Sequence, residues 1–370
     1  MTRKLVIHVG AQKCASSSLQ ASLRLVAQAS KGGLGFCFLN PEKLRDADQA
    51  LKKNSKTAFH YVDLVLSGQS SSKVVVSHEM LGNRPALVCS IAERALEKHS
   101  FDHVVVSGYS RLQSNYHVSA FSQWFFRDRK KLLSDLKVLS KYNLNWRQFT
   151  ALERSLLALS LVGKDRNWHS NYRRFCDGVK SLGDSVTVVS CHIPTRSHPY
   201  SLLEHFLSST GIPLELEELE SFDVRKNLSF HPVLIHGMSA YLSSLRPLQQ
   251  SFFPHPHEGN RWLFRVCKRL SAGQDLMAEF DSLFSPRLQH SLIGHLDCRA
   301  SSSNKQYCEL MSVDFSYFQP SDEASLLLEE ELLDLARDTE QSRNAEDIGH
   351  FDRRIQNACM QSMRAEIVSS

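Results

Sequence analysis

Five short apolar stretches, Lys4 to Val9, Gly35 to Leu39, Lys73 to Ser77, His103 to Ser107 and Ser185 to Val189, alternate with segments whose apolar residues recur at helical spacing. Strands separated by helices pair in parallel through crossovers. The pattern therefore predicts an α/β fold with a central, mainly parallel sheet flanked by helices. At 370 residues and 42% hydrophobic content, the chain can bury one large core or two smaller ones. The expected division is a sheet domain over residues 1–238 carrying a helical insert at about 120–180, with a mainly helical C-terminal region over 239–370 packed on it.

The first strand breaks at Gly10, and Leu19 and Leu23 restart the apolar pattern four residues apart, as in a helix. Between them lies "GAQKCASSS". Ser16, Ser17 and Ser18 place small hydroxyls and free backbone N–H groups at a helix N-terminus, where the helix dipole favours an anion, and Lys13 adds one full positive charge. A serine cluster before an apolar run also describes an ordinary capped helix. The loop lacks the GxxxxGK[ST] pattern of nucleotide triphosphatases, because Cys14 follows Lys13 where a magnesium-holding hydroxyl would stand. An anion cradle of this kind suits transfer of a group less charged than phosphoryl, such as sulfuryl.

The residues His8, Gly10, Lys13, Ser16, Ser17, Ser18, Leu19 and Gln20 resemble the first motif, "HxGxxKxGTTSLQ", of sulfotransferases that use 3′-phosphoadenosine-5′-phosphosulfate (PAPS). Ala15 stands for the motif's glycine and Cys14 for its threonine or serine, and both remain small. The resemblance implies a P-loop nucleotide-kinase-like sulfotransferase fold, with Gly10, Lys13, Cys14, Ala15, Ser16, Ser17 and Ser18 around the cofactor. It also implies a second site for the 3′-phosphate, an arginine ending a buried strand and a serine eight positions later. Arg111 after Val104 to Val106, and Ser119, meet that spacing, although Leu112 and Gln113 replace the family's Asp-Pro or Asn-Pro. Read singly, Arg111 is a surface arginine and Ser119 a helix-face serine.

Two further stretches resemble bacterial and carbohydrate-directed members. The strand Val74 to Val76 delivers Ser77, His78 and Glu79 to its carboxyl end, like the family's "S-S-E", at an edge where open α/β sheets collect ligands. Trp168 and Tyr172, with Asn227 and Ser229, resemble the pattern that closes the domain. Sulfuryl transfer is an in-line displacement that depends on positioning and charge stabilisation, by analogy with phosphoryl transfer. Lys13 would meet the leaving oxygen. Glu79 or His78 would take the acceptor's proton, Glu79 by its family position and His78 through a reference pKa of about 6.5. Alternatively, all three residues from Ser77 simply cap a following helix.

A net charge of +5 fits an anionic cofactor, and the scattered aromatics give no footprint for nucleic acid. Nine cysteines without a CxxC pair read as reduced thiols, with Cys14 expected to be reactive beside Lys13. His255, His257 and Glu258 around Pro256 read as an extended loop, and no metal is expected. No signal sequence or apolar run of ~18 residues is present, so a cytoplasmic enzyme without a membrane span is expected. Arg129, Lys130 and Lys131 in the insert could attract an anionic acceptor or be a solvated face. "SSSNK" near Ser301 reads as a loop. Ser321 reads as a helix cap ahead of an apolar stripe of Leu327, Leu328, Leu332 and Leu335. The leading acceptor is a polysaccharide hydroxyl, then a lipid or glycolipid hydroxyl. A small-molecule kinase and a non-catalytic phosphonucleotide-binding module remain the alternatives.

Overall fold

The computed structural model describes residues 2–10, 13–53, 59–163, 166–194, 198–213, 219–224, 230, 232–244 and 274–368. Asn227, Ser229, His255, His257 and Glu258 lie outside them. Five strands, β1 (Lys4–His8), β2 (Gly35–Phe38), β3 (Lys73–Ser77), β4 (His103–Ser110) and β5 (Val186–His192), form one parallel sheet in the order β2-β3-β1-β4-β5. Each begins within a residue of the apolar run that predicts it. β4 and β5 run three residues further, because Ser110 and His192 still pair across the ladder. Leu5, Val6 and Ile7 in the central strand are fully buried, as are Val74 and Val104 in its neighbours. Such continuous apolar strands follow from a sheet covered on both faces.

Helices α1 (Ser16–Ala29), α2 (Pro41–Lys52), α3 (His60–Ser67) and α4 (Pro85–Lys98) link the first four strands. Between β4 and β5 come α5 (Gln113–Phe121), α6 (Arg129–Lys141), α7 (Ala151–Val162) and α8 (Trp168–Val179). After β5 follow α9 (Leu202–Ser209), α10 (Pro232–Ser244), α11 (Gln274–Leu283), α12 (Arg287–Met311), α13 (Glu329–Ser342) and α14 (Ala345–Val368). No described helix is long and apolar enough to cross a membrane.

The chain divides into two compact units, and the division differs from the expected break near residue 239. A sheet unit comprises Met1–Leu112, Asn167–Asn227 and Ser302–Phe318, and a helical unit comprises Gln113–Arg166, Leu228–Ser301 and Gln319–Ser370. Each is assembled from three separate segments, which local composition does not reveal. The helical unit has its own apolar core, including Phe126, Met238, Phe280, Phe351 and Ile355. Within it Lys131 is held by Asp135 at 2.5 and 2.6 Å and by Ser155 Oγ at 3.0 Å, so this member of the basic run serves an internal ion pair. "SSSNK" is helical, inside α12, where Asn304 is fully buried. Ser321 does not start a helix: α13 begins at Glu329, where Glu331 Oε2 accepts from the Leu328 N–H at 2.6 Å. Leu328 is exposed and Leu332 buried.

Candidate anion site at the carboxyl edge of the sheet

The loop after β1 leads through α1 towards β2 on one side of the sheet, whereas the chain after β4 leads towards β5 on the other. The carboxyl ends of β1 and β4 therefore flank a topological switch point, the crevice where open α/β sheets take their ligands. Lys13 and Arg111 come from the segments following these two strands. Arg111 Nη1 donates to the Lys13 carbonyl at 3.1 Å, and the Arg111 carbonyl accepts from Trp168 Nε1 at 2.7 Å. Trp168 is fully buried, so the turn after β4 is fixed from below. Burial lowers the pKa of Arg111 from the usual guanidinium value, a sign that its charge is poorly hydrated.

Lys13 and Ala15 both have positive φ, +68° and +61°. Ala15 thus occupies the left-handed conformation that favours glycine, at a cost of about 1–2 kcal/mol. It is the N-cap of α1 and makes no side-chain cap hydrogen bond, while Ser16, Ser17 and Ser18 lie inside the first turn. The serines are therefore not the capping residues of the ordinary reading. Gly10 enters the same corner: a Cβ there would overlap Ser16 Oγ and lie 2.9 Å from His8 Nε2. A Cβ on Gly82 would lie 2.7 Å from the Val9 carbonyl, so the segment after Glu79 packs directly against the loop's entry.

Beneath the loop, His8 and Ser77 face one another across the β1–β3 ladder, with His8 Nδ1 2.8 Å from Ser77 Oγ. Gln20 Nε2 on α1 donates to the same hydroxyl at 3.0 Å. Burial lowers the His8 pKa to about 4. At the end of β3, Ser17 Oγ donates to Glu79 Oε1 at 3.3 Å, which brings the half-buried carboxylate to the N-terminal turn of α1.

No family model, curated protein or solved structure matches this chain.

The geometry brings Gly10, Lys13, Cys14, Ala15, the three serines, Glu79 and Arg111 to one edge of the sheet unit, and it revises two expectations, those for His78 and Cys14. Ser119 falls on α5, the helix that follows Arg111, as its spacing predicts. His78 is the N-cap of a short 3-10 helix, Glu79–Asn83, its Nδ1 accepting from the Met80 N–H at 3.0 Å. Burial, then the charges of Arg45 and Arg84, lower its pKa to about 4, so the expected base with a pKa near 6.5 is instead a weakly basic cap. Cys14 is fully buried, which shields the thiol from reagents that the sequence would let in.

Sequence reasoning named His8, Ser77 and Gln20 without seeing that they form a chain. They are separated by up to 69 residues, and only the parallel register of β1 on β3 reveals their contact. A second buried polar cluster was also missed. Tyr307 OH meets Ser110 Oγ and Ser190 Oγ, each at 2.6 Å, and ties the end of α12 to β4 and β5.

Proposed function

We propose that the protein moves a sulfuryl group from PAPS to an acceptor hydroxyl, with a saccharide as the leading acceptor class, on a P-loop-like sheet. The observation that carries this reading is the Arg111–Lys13 contact at the switch point. The contact joins the two flanking loops, each of which carries one cation, and a nucleotide bearing anionic groups at both its 5′ and 3′ positions would need both. PAPS would supply an activated sulfuryl group on the 5′ side and a phosphate on the 3′ side. The N-terminus of α1 and Lys13 fit the first, and Arg111 fits the second. Cys14 after Lys13 offers no magnesium-holding hydroxyl, which favours this donor over a nucleoside triphosphate.

In the proposed reaction the acceptor oxygen attacks sulfur as the bond to the bridging oxygen breaks. Glu79 takes the acceptor's proton, because its carboxylate reaches the N-terminal turn of α1 through Ser17. Lys13 faces the charge that develops on the leaving oxygen. The N–H groups of α1 hold the oxygens in transfer.

The test is transfer of sulfur-35 from labelled PAPS to a panel of neutral and acidic oligosaccharides, with labelled ATP run in parallel. Transfer from PAPS that falls about 10²–10⁴-fold in Glu79→Gln, with nucleotide affinity kept, is the expected result. Phosphoryl transfer from ATP alone would replace the proposal with a kinase. Nucleotide binding without transfer to any acceptor would leave a binding module.

A further inference from the structure

His8 is fully buried, packed edge-on against Phe206 with ring centroids 5.5 Å apart. Its two ring nitrogens have different surroundings. Ser77 Oγ accepts from the Gln20 amide, whose nitrogen is only a donor, and its single hydroxyl proton is available to its other neighbour, His8 Nδ1. An Nδ1 that accepts fixes the neutral ring's own proton on Nε2. Nε2 is buried and has no hydrogen-bond partner among the described residues. Its edge of the ring faces Gly10 on the side where Ser16 opens α1, because a Cβ on Gly10 would fall between them. A buried donor without a partner is rare in a native protein. One lying under the N-terminus of a 14-residue helix, next to a loop with two left-handed residues, is placed for a ligand oxygen.

We propose that His8 is a binding residue of the anion site at α1, a neutral imidazole whose Nε2–H, oriented by Ser77 and Gln20, donates to the anion held there. Only the identity of the nucleotide in this inference rests on the proposed function; the anion site itself does not. A neutral donor adds direction without charge, so the terminal group meets a loop whose one charged side chain is Lys13. Gln20, on the helix that follows the loop, and His8, on the strand that precedes it, both bind Ser77 of a third element. The pair thereby ties the two flanks of the loop together.

The experiment is a long-range proton–nitrogen correlation spectrum of the full chain labelled with nitrogen-15 histidine, with His8 assigned through His8→Gln. It is recorded with 3′-phosphoadenosine-5′-phosphate (PAP), with inorganic sulfate and without ligand, and melting curves are taken on the same samples. The free protein should show His8 as the neutral Nε2–H tautomer, and saturation with PAP should move that signal. The dissociation constant for PAP should rise about 10- to 100-fold in His8→Gln and in Ser77→Ala, and return towards wild type in Ser77→Thr. If PAP stabilises the protein while the His8 signal stays still, His8 is only structural and the nucleotide reading survives. If sulfate moves the signal and PAP does not bind, the role of His8 stands and the PAPS reading falls. If neither moves it, the inference is overturned. Should Ser77→Ala fail to fold, the wild-type spectra decide.

Discussion

Two buried histidines, one in each unit, are held in different ways. In the helical unit His236 uses both nitrogens: Nδ1 accepts from the Ala151 N–H at 3.2 Å, and Nε2 meets Asp352 Oδ1 at 2.8 Å. Nearby, Arg343 pairs with both oxygens of Glu153 at 2.8 Å and donates to the Gln148 and Ser285 carbonyls. Every one of these groups has its partner inside the protein, as a structural cluster requires. In the sheet unit His8 fills one nitrogen and leaves the other open towards a helix N-terminus. A closed network holds a fold, and an open one under a strained loop is what the proposed anion site would use.

The largest effect should come from opening the closed network. Arg343→Ala would leave Glu153, 1% exposed, as an unpaired buried charge, at a cost of about 3–5 kcal/mol in urea unfolding. A loss below 1 kcal/mol would show that the helical unit does not depend on that pairing.

The next effect is read from the pH dependence of stability. The folded pKa of His8, about 4, lies below its ordinary 6.5, so the unfolded chain takes up the proton first as pH falls. This contribution is fully present above pH 6.5 and is lost progressively down to pH 4, by about 3 kcal/mol in all. His8→Gln in the ligand-free protein should flatten the stability profile over that window by this amount. His78 and His192, also lowered to about 4, keep a slope in the variant. An unchanged profile in His8→Gln would mean that His8 is not held neutral.

Smaller changes test the loop itself. Gly10→Ala pushes a methyl group against Ser16 and His8, which should cost about 1–3 kcal/mol and remove stabilisation by nucleotide. Ala15→Gly should do the reverse, a gain of about 1 kcal/mol in thermal unfolding, because glycine accepts φ near +61° without strain. A loss on Ala15→Gly would contradict the left-handed turn.

The strands were legible because each is a short apolar run buried on both faces, and the loop was legible because Gly10, Lys13 and three serines fall between strand and helix patterns. Position alone did not reveal chemistry. The resemblance flagged His78 as a base, yet the cap geometry and the charges of Arg45 and Arg84 depend on α2 and the turn before α4, which no local pattern records. "SSSNK" read as a loop by composition, but Asn304 and Tyr307 on the same helix are fully buried, and packing overrode serine's weak helix propensity. The units were hidden for a related reason, since the chain leaves the sheet unit after Leu112 and again after Asn227.

The carboxyl edge of β1 and β4 is proposed to hold a nucleotide with a 3′-phosphate. A thermal-shift titration with PAP, against ATP with magnesium, tests it on wild type, Lys13→Ala and Arg111→Ala. At PAP near 100 times its dissociation constant, the wild type should gain about 2.7 kcal/mol, with no gain from ATP and none in either variant. Stabilisation by ATP with magnesium alone, or by neither nucleotide, would rule out a 3′-phosphorylated nucleotide at this edge.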